Sequence, residues 1–268
     1  VIMSRPMKKP DPLSLILPGL LLAVWAIASG TGSLPAYLVP SPARILTDLG
    51  RFLAGSGTEP YAGELMMHSL ASFSRVVGGF SLAVLLGVPL GVLTGRIRIG
   101  RRILDPLIHL IRMIPGIGWL PLAMVWFGVG TKTAVFLIAL AAFFPVYLNT
   151  AAGSRDIPEE LIQAARVLGA RGRVLLFRVI LPAAAGGILT GLRTGLGISW
   201  AYLVLGELTG VNRGLGAVMM DARMLGNTGM ILVSMVVIAF WGRLSDRILV
   251  LAFHGLHPAG AEKENMNG

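Results

Sequence analysis

Six apolar runs near the length of a bilayer crossing lie between ionisable residues in this chain of 268 residues, at 13–29, 76–95, 113–131, 133–154, 183–206 and 224–242. A hydrocarbon core about 30 Å thick takes roughly 20 helical residues at 1.5 Å each. Six such runs could not be covered by the polar sequence that remains: 54% of residues are apolar and only 13% are charged, against about a quarter charged in a soluble domain. The chain therefore reads as an all-α polytopic membrane protein, a single domain over 1–268 with spans at 13–29, 69–95, 107–127, 133–153, 183–206 and 226–243. Such a composition excludes disorder, and the absence of Cys excludes disulfides and thiolate chemistry. The net charge of +10 does not indicate nucleic acid, because the basic residues punctuate the apolar runs and form no stripe.

Alternate sides of the spans carry unequal numbers of Lys and Arg. Fifteen fall on the side of the two termini, the 96–102 loop and the 155–182 loop, and 5 fall on the other. By the positive-inside rule both termini and the 155–182 loop are cytoplasmic, and 30–64 is extracytoplasmic. The first run follows Arg5, Lys8 and Lys9 in the manner of a signal peptide. An uncleaved helix is the preferred reading, because removing it improves the placement of no basic cluster. Within 30–64, Ser41 is placed to cap a short amphipathic helix with Pro42 at its first position.

Gly79, Ala83, Gly87, Gly91 and Gly95 recur every fourth residue in the second span, and Gly187, Gly191 and Gly195 repeat the spacing in the fifth. Small residues on one face let helices approach closely in lipid, within a subunit or between two. Pro115, Gly116, Gly118 and Pro121 interrupt the third span; broken helices at membrane depth are tolerated where they line protein or a wet cavity. The interruption is either a simple kink or part of a pathway.

Catalytic signatures are missing. His68, His109, His254 and His257 have no metal-ligand spacing, and no Walker A, H-E-x-x-H or G-x-S-x-G sequence occurs. The spans hold almost no acids of the kind that ion-coupled carriers use, with Glu207 at the outer end of the fifth. A transporter of this sequence would draw its energy from another polypeptide. Three arginines, Arg75, Arg112 and Arg193, sit in or at the edges of spans. Arg112 and Arg193 could favour a small anion in a translocation path, or could snorkel or pair structurally. Glu207 could touch solute, meet a partner or cap a helix.

The 155–182 loop carries a helix start at Pro158 with Glu159 and Glu160, and a stop at Gly169. Leu161, Ala164, Ala165 and Leu168 share a face of the helix between them. Flanked by Arg171, Arg173 and Arg178, it could insert into a groove on a soluble partner or lie against anionic lipid.

Gln163-Ala164-Ala165, Gly169, Val179 and Leu181-Pro182 stand at the spacing of E-A-A-x3-G-x9-I-x-L-P. This segment resembles the EAA loop of permease subunits of bacterial ABC importers, with Gln163 where Glu is usual and Val179 where Ile is usual. Further pieces, among them Leu38-Val-Pro-Ser-Pro42, Ile111-Arg-Met-Ile-Pro115, Trp126-Phe-Gly-Val-Gly130 and Ser199-Trp200, are similar to the nitrate, sulfonate, taurine and bicarbonate branch of these permeases.

The resemblance implies a type I importer permease fold in the bacterial inner membrane. Its partners would be a second permease copy as a homodimer, two cytoplasmic ATPase subunits that bind ATP and Mg, and a periplasmic or lipid-tethered solute-binding protein. The chain would bind no cofactor and catalyse nothing. ATPase coupling would fall to Glu160, Gln163, Ala164, Ala165, Gly169, Val179, Leu181 and Pro182, and a translocation path would draw on Arg112, Arg193 and Glu207. The rival expectation is a secondary carrier or channel that needs no ATP.

Overall fold

The computed structural model describes residues 12–31, 35, 37–55 and 61–256, and every regular element among them is helical. In chain order these are α1 (Pro12–Gly30), α2 (Pro42–Ala54), α3 (Leu65–Arg96), α4 (Arg98–Arg112), a 3-10 turn over Gly116–Trp119, α5 (Leu120–Phe127) and α6 (Thr131–Arg155). Then follow α7 (Glu159–Val167), α8 (Gly172–Leu175), a π turn over Leu176–Ile180, α9 (Leu181–Ala183), α10 (Ala185–Glu207), α11 (Leu215–Met224) and α12 (Thr228–Leu256). Contacts divide the chain into two compact units, one up to Met66 with Val218–Met235, the other Met67–Ala217 with the chain from Val236 onward. The basic cluster at Arg5, Lys8 and Lys9, and Lys263 and His257, lie outside the described residues.

Four helices among the described residues are long and apolar enough to cross a membrane: α3, α6, α10 and α12 over Thr228–Phe253. A fifth candidate is a bent pair, α4 with Gly116–Phe127, whose two parts meet at 88°. The first expected span falls on α1, whose apolar part among the described residues is Ile16–Gly30.

In the first unit α2 forms where the sequence places it. The Ser41 hydroxyl accepts the Arg44 backbone N–H at 3.3 Å, with Pro42 at the first helical position. Ile45 and Phe52 are buried, while Leu46 and Leu53 on the same helix are exposed. Gly55, at φ +73°, closes the helix in the left-handed conformation. Beyond it the Tyr61 hydroxyl donates to Asp221 at 2.9 Å. Burial, and next the bond to Asp221, push this phenol up to about 12.

The second unit is built around α6. Leu137, Ile138, Ala142, Val146 and Tyr147 on that helix are wholly buried. The glycine rows explain how two neighbours come so close. A Cβ at Gly79 would lie 2.6 Å from Ile138 Cγ2, one at Gly91 2.7 Å from Thr150 Cβ, and one at Gly187 2.7 Å from Gly153 Cα. The seams of α3 and α10 therefore both grip α6 within one chain, which is the first of the two readings of the spacing. Gly91→Ala is expected to push α3 off α6 and cost about 1–3 kcal/mol, read as a lower melting temperature of the purified protein. An unchanged melting temperature would mean that the seam is slack.

The third span, expected over 107–127 with an interruption at Pro115, Gly116, Gly118 and Pro121, is broken into two helical parts set at 88°. Helix α4 starts at Arg98 and is amphipathic, with Arg101, Asp105 and Arg112 among its polar residues and Ile103 and Leu107 among its exposed apolar ones. The turn comes at Pro115, whose ring disfavours helical backbone at Ile114 and which has no N–H to continue the ladder. Gly116 follows because no side chain fits there: a Cβ would run into the Tyr202 ring, 2.6 Å from Cζ. The sequence located the break correctly and missed the right angle.

Candidate functional site

Helix α7 is the centre of the 155–182 loop. It runs from Glu159 to Val167, with Pro158 before it and both acids, Glu159 and Glu160, in its first turn. At its other end Gly169 adopts φ +88°, and the Ala170 N–H reaches back to the Ala165 carbonyl at 2.9 Å. That 6→1 bond is a Schellman stop, which favours glycine at this position.

One side chain fixes α7 to the rest of the unit. Ile162 is 1% exposed and packs with Val146, Ile157, Ala184, Ile188 and Leu192. Glu159 adds an ion pair to Arg96 at the end of α3, at 3.0 Å. The opposite side is bare: Val167 and Leu168 are each 87% exposed, Leu161 is exposed, and so are Gln163 and Ala164. Two 87% exposed apolar residues at one helix tip have no use for the isolated chain, and they suit a partner groove. Val179, Leu181 and Pro182 lie beyond, in the π turn and α9 that lead almost without interruption into α10. The nearly continuous helical path into the membrane helix α10 thus begins at Gly172, just after the stop at Gly169.

The far end of α10 holds a buried ion pair. Arg75 Nη1 donates to Glu207 Oε1 at 2.5 Å and to the Arg213 carbonyl at 2.6 Å, and Arg75 Nε donates to Thr131 Oγ1 at 3.2 Å. Glu207 is 1% exposed and also accepts from Ser72 Oγ at 2.8 Å and from the Gly216 N–H at 2.8 Å. His68 Nδ1 lies 3.0 Å from the Gly214 backbone nitrogen and 3.2 Å from the Gly214 carbonyl oxygen. These residues come from α3, the start of α6, the end of α10 and the 208–216 connection. The carboxylate has its acceptor sites filled by protein, and the pair joins the three helices at one end.

The three residues named for a translocation path do not meet. Glu207 belongs to the cluster just described. Arg193 forms a fork with Asp246, Nε to Oδ1 at 2.8 Å and Nη2 to Oδ2 at 3.0 Å, which binds α10 to α12. Arg112 lines a cavity of about 510 Å³ beside the break after α4, together with Trp119, Asn149 and Tyr202. Composition and spacing pointed to none of Ile162, Arg75, Trp119 or Tyr202 as site residues. Ile162 carried a usable signal, since an isoleucine two residues before the Ala pair lies off the small-residue face. The partnership of Arg75 with Glu207 spans 132 positions, and no local pattern announces it.

Among the described residues no group of three or more His, Asp or Glu could hold a metal ion. The chain is 37% identical over 235 residues to the taurine transport system permease protein of Escherichia coli, covering 87% of this chain and 84% of the relative. It is 32% identical over 261 residues to the nitrate import permease protein of Synechocystis, covering 91% and 92%. In fold it is similar to a chain of the inward-facing methionine ABC transporter, with a TM-score of 0.57, 23% identity, and coverage of 72% of this chain and 99% of that one. A family model described as a binding-protein-dependent transport system inner membrane component matches residues 66–245. The chain belongs to that family, the permease subunits of ABC importers.

Proposed function

We propose that this permease works as a homodimer with two cytoplasmic ATPase subunits, receiving solute from a binding protein on the outer face and moving it across the inner membrane. Both termini and α7 face the cytoplasm in this reading, and the positive-inside count supports that orientation. The observation that carries the reading is the build of α7: anchored by Ile162 and Glu159 on one side, bare at Val167 and Leu168 on the other. An ATPase cleft closing on ATP would move α7 as a lever. The π turn and α9 would pass the motion to α10, and the permease would alternate between inward- and outward-open states.

The solute in this reading is a small oxyanion such as a sulfonate, taurine, nitrate or bicarbonate. The relatives named for taurine and for nitrate support that class, as does Arg112 beside a cavity. Arg193 and Glu207, each engaged by a counter-charge, contribute by holding helices and not by meeting solute. Copurification tests the assembly directly: tagged permease is expected to co-elute with its ATPase in equal amounts and to raise its ATP turnover when loaded binding protein is added. Permease that elutes alone, from membranes that contain the ATPase, would overturn the reading.

A further inference from the structure

Helix α6 starts without a cap. Gly130 stands at the N-cap position, where a side-chain oxygen usually accepts first-turn N–H groups, and no side chain does so. The positive end of a helix of 25 residues is therefore left open. Gly130 and Thr131 border a cavity of about 540 Å³, within the range of small-molecule sites. The 208–216 connection supplies another part of its wall with Gly210, Val211, Asn212 and Arg213, and Arg75 reaches it from α3.

The Arg75 guanidinium is a second and independent feature of this cavity. Arg75 is only 7% exposed. Its Nη1 is engaged by Glu207 and the Arg213 carbonyl, and its Nε by Thr131 Oγ1 at 3.2 Å. Nη2 has no acceptor among the described residues, and it is not sealed off from solvent. A guanidinium is planar with its donors in a fixed fork, so the bond from Nε to Thr131 holds Nη2 beside the first turn of α6. The Thr131 hydroxyl accepts that bond and keeps its own O–H free to donate.

The charge balance favours an anion. Glu207 neutralises Arg75 from behind and has its oxygens turned to Arg75, Ser72 and the Gly216 N–H. Among the described residues no acidic side chain borders the cavity, while Arg213 adds a positive charge to the open end of α6. An oxyanion offers several acceptors to such donors. Val129 and Val211 supply the apolar part of the wall, which suits a small anion and not a long tail.

We propose that Arg75 Nη2, the Thr131 hydroxyl, the uncapped first turn of α6 and Arg213 form a binding site for a small oxyanion such as a sulfonate head or nitrate. Its role rests on the importer reading, which puts this end of α6 on the outer face and makes the site the first station of solute released by the binding protein. Arg75 then serves twice. Its pair with Glu207 fixes the guanidinium, and the fixed guanidinium presents Nη2 to solute.

The test uses the purified permease–ATPase complex in nanodiscs without binding protein, with sodium methanesulfonate and sodium nitrate as probes and sodium chloride at equal ionic strength as comparator. Binding is read from the concentration dependence of thermal stabilisation. Both oxyanions are expected to stabilise the complex at lower concentration than chloride. Arg213→Gln should weaken the apparent Kd for methanesulfonate about tenfold, as loss of one charged hydrogen-bonding group does. Asn212→Asp, which puts a carboxylate of the same shape into the wall, should weaken it at least as much while the melting temperature in chloride stays that of wild type. Lys132→Gln removes an equal charge from a residue that lines a different cavity, and should change Kd by less than about twofold at 0.15 M salt, where exposed charges are screened.

Oxyanions that stabilise no better than chloride, or a Kd unchanged by Arg213→Gln and Asn212→Asp, would overturn the site. So would equal weakening by Lys132→Gln, the mark of diffuse attraction. Variants that lose capture of the binding protein and keep the anion Kd would overturn it too, since the donors would then serve a carboxylate of that partner. Failure of the importer reading shows separately, as wild-type uptake that proceeds without the ATPase.

Discussion

Arg75→Ala is expected to cost about 3–5 kcal/mol of stability, the usual penalty for leaving one member of a buried ion pair without the other. Glu207, 1% exposed, would keep its bonds to Ser72 and the Gly216 N–H and lose its only counter-charge in the cluster. Glu207→Ala should cost a similar amount, since it strands Arg75 together with the Ser72 hydroxyl and the Gly216 N–H. The double variant Arg75→Met, Glu207→Leu separates charge from packing. A buried pair replaced by apolar groups is often neutral, but Thr131, Ser72 and Gly216 lose partners here. Recovery should therefore be partial, with the double variant more stable than either single one. Thermal unfolding of the purified protein measures all three, and additive losses in the double variant would show that the two residues do not act as a pair.

The second large effect concerns coupling. Gly169→Asp and Ala165→Asp are expected to reduce ATPase stimulation by more than tenfold while the permease still inserts and folds. A Cβ at Gly169 meets nothing within 4 Å in the chain itself, so in the proposed reading a side chain there would intrude on the ATPase and not on the permease. The left-handed backbone at φ +88° adds strain of its own, about 1–2 kcal/mol for a residue with a Cβ. Gly169→Ala isolates that strain and should leave most stimulation intact. An acid at either position also opposes the negative end of α7, and at Ala165 it puts a charge where the face is small and apolar. Full stimulation by either acidic variant would remove α7 from the contact.

Local chemistry explains what was legible in the sequence. Ser41 and Pro42 start α2, Pro158 and the two acids start α7, and Gly169 ends it, because each signal is complete within a few residues. The glycine rows announced close helix contacts by their spacing. They did not say whether the contact lay within a chain, and only the approach of Gly79, Gly91 and Gly187 to α6 answers that. In α7 a helix of 9 residues offers more than one apolar grouping. The small face was visible, while the buried anchor was Ile162, chosen by partners on α6 and α10. The right-angle turn after α4 escaped for the same reason: Pro115 and Gly116 predict a break, but its angle depends on Tyr202, 86 residues further along. Arg112, Arg193 and Glu207 looked alike as charges near spans, and what separates them is the counter-charge beside the last two.

In the proposed reading the chain is a device moved from outside, with the exposed tip of α7 as its handle. The most direct measurement is solute uptake into vesicles carrying the permease and its binding protein, with the ATPase present, present but unable to hydrolyse ATP, or absent. Uptake is expected only in the first case, with the other two at the level of empty vesicles. Accumulation at an equal rate without the ATPase would contradict the account and restore the autonomous carrier.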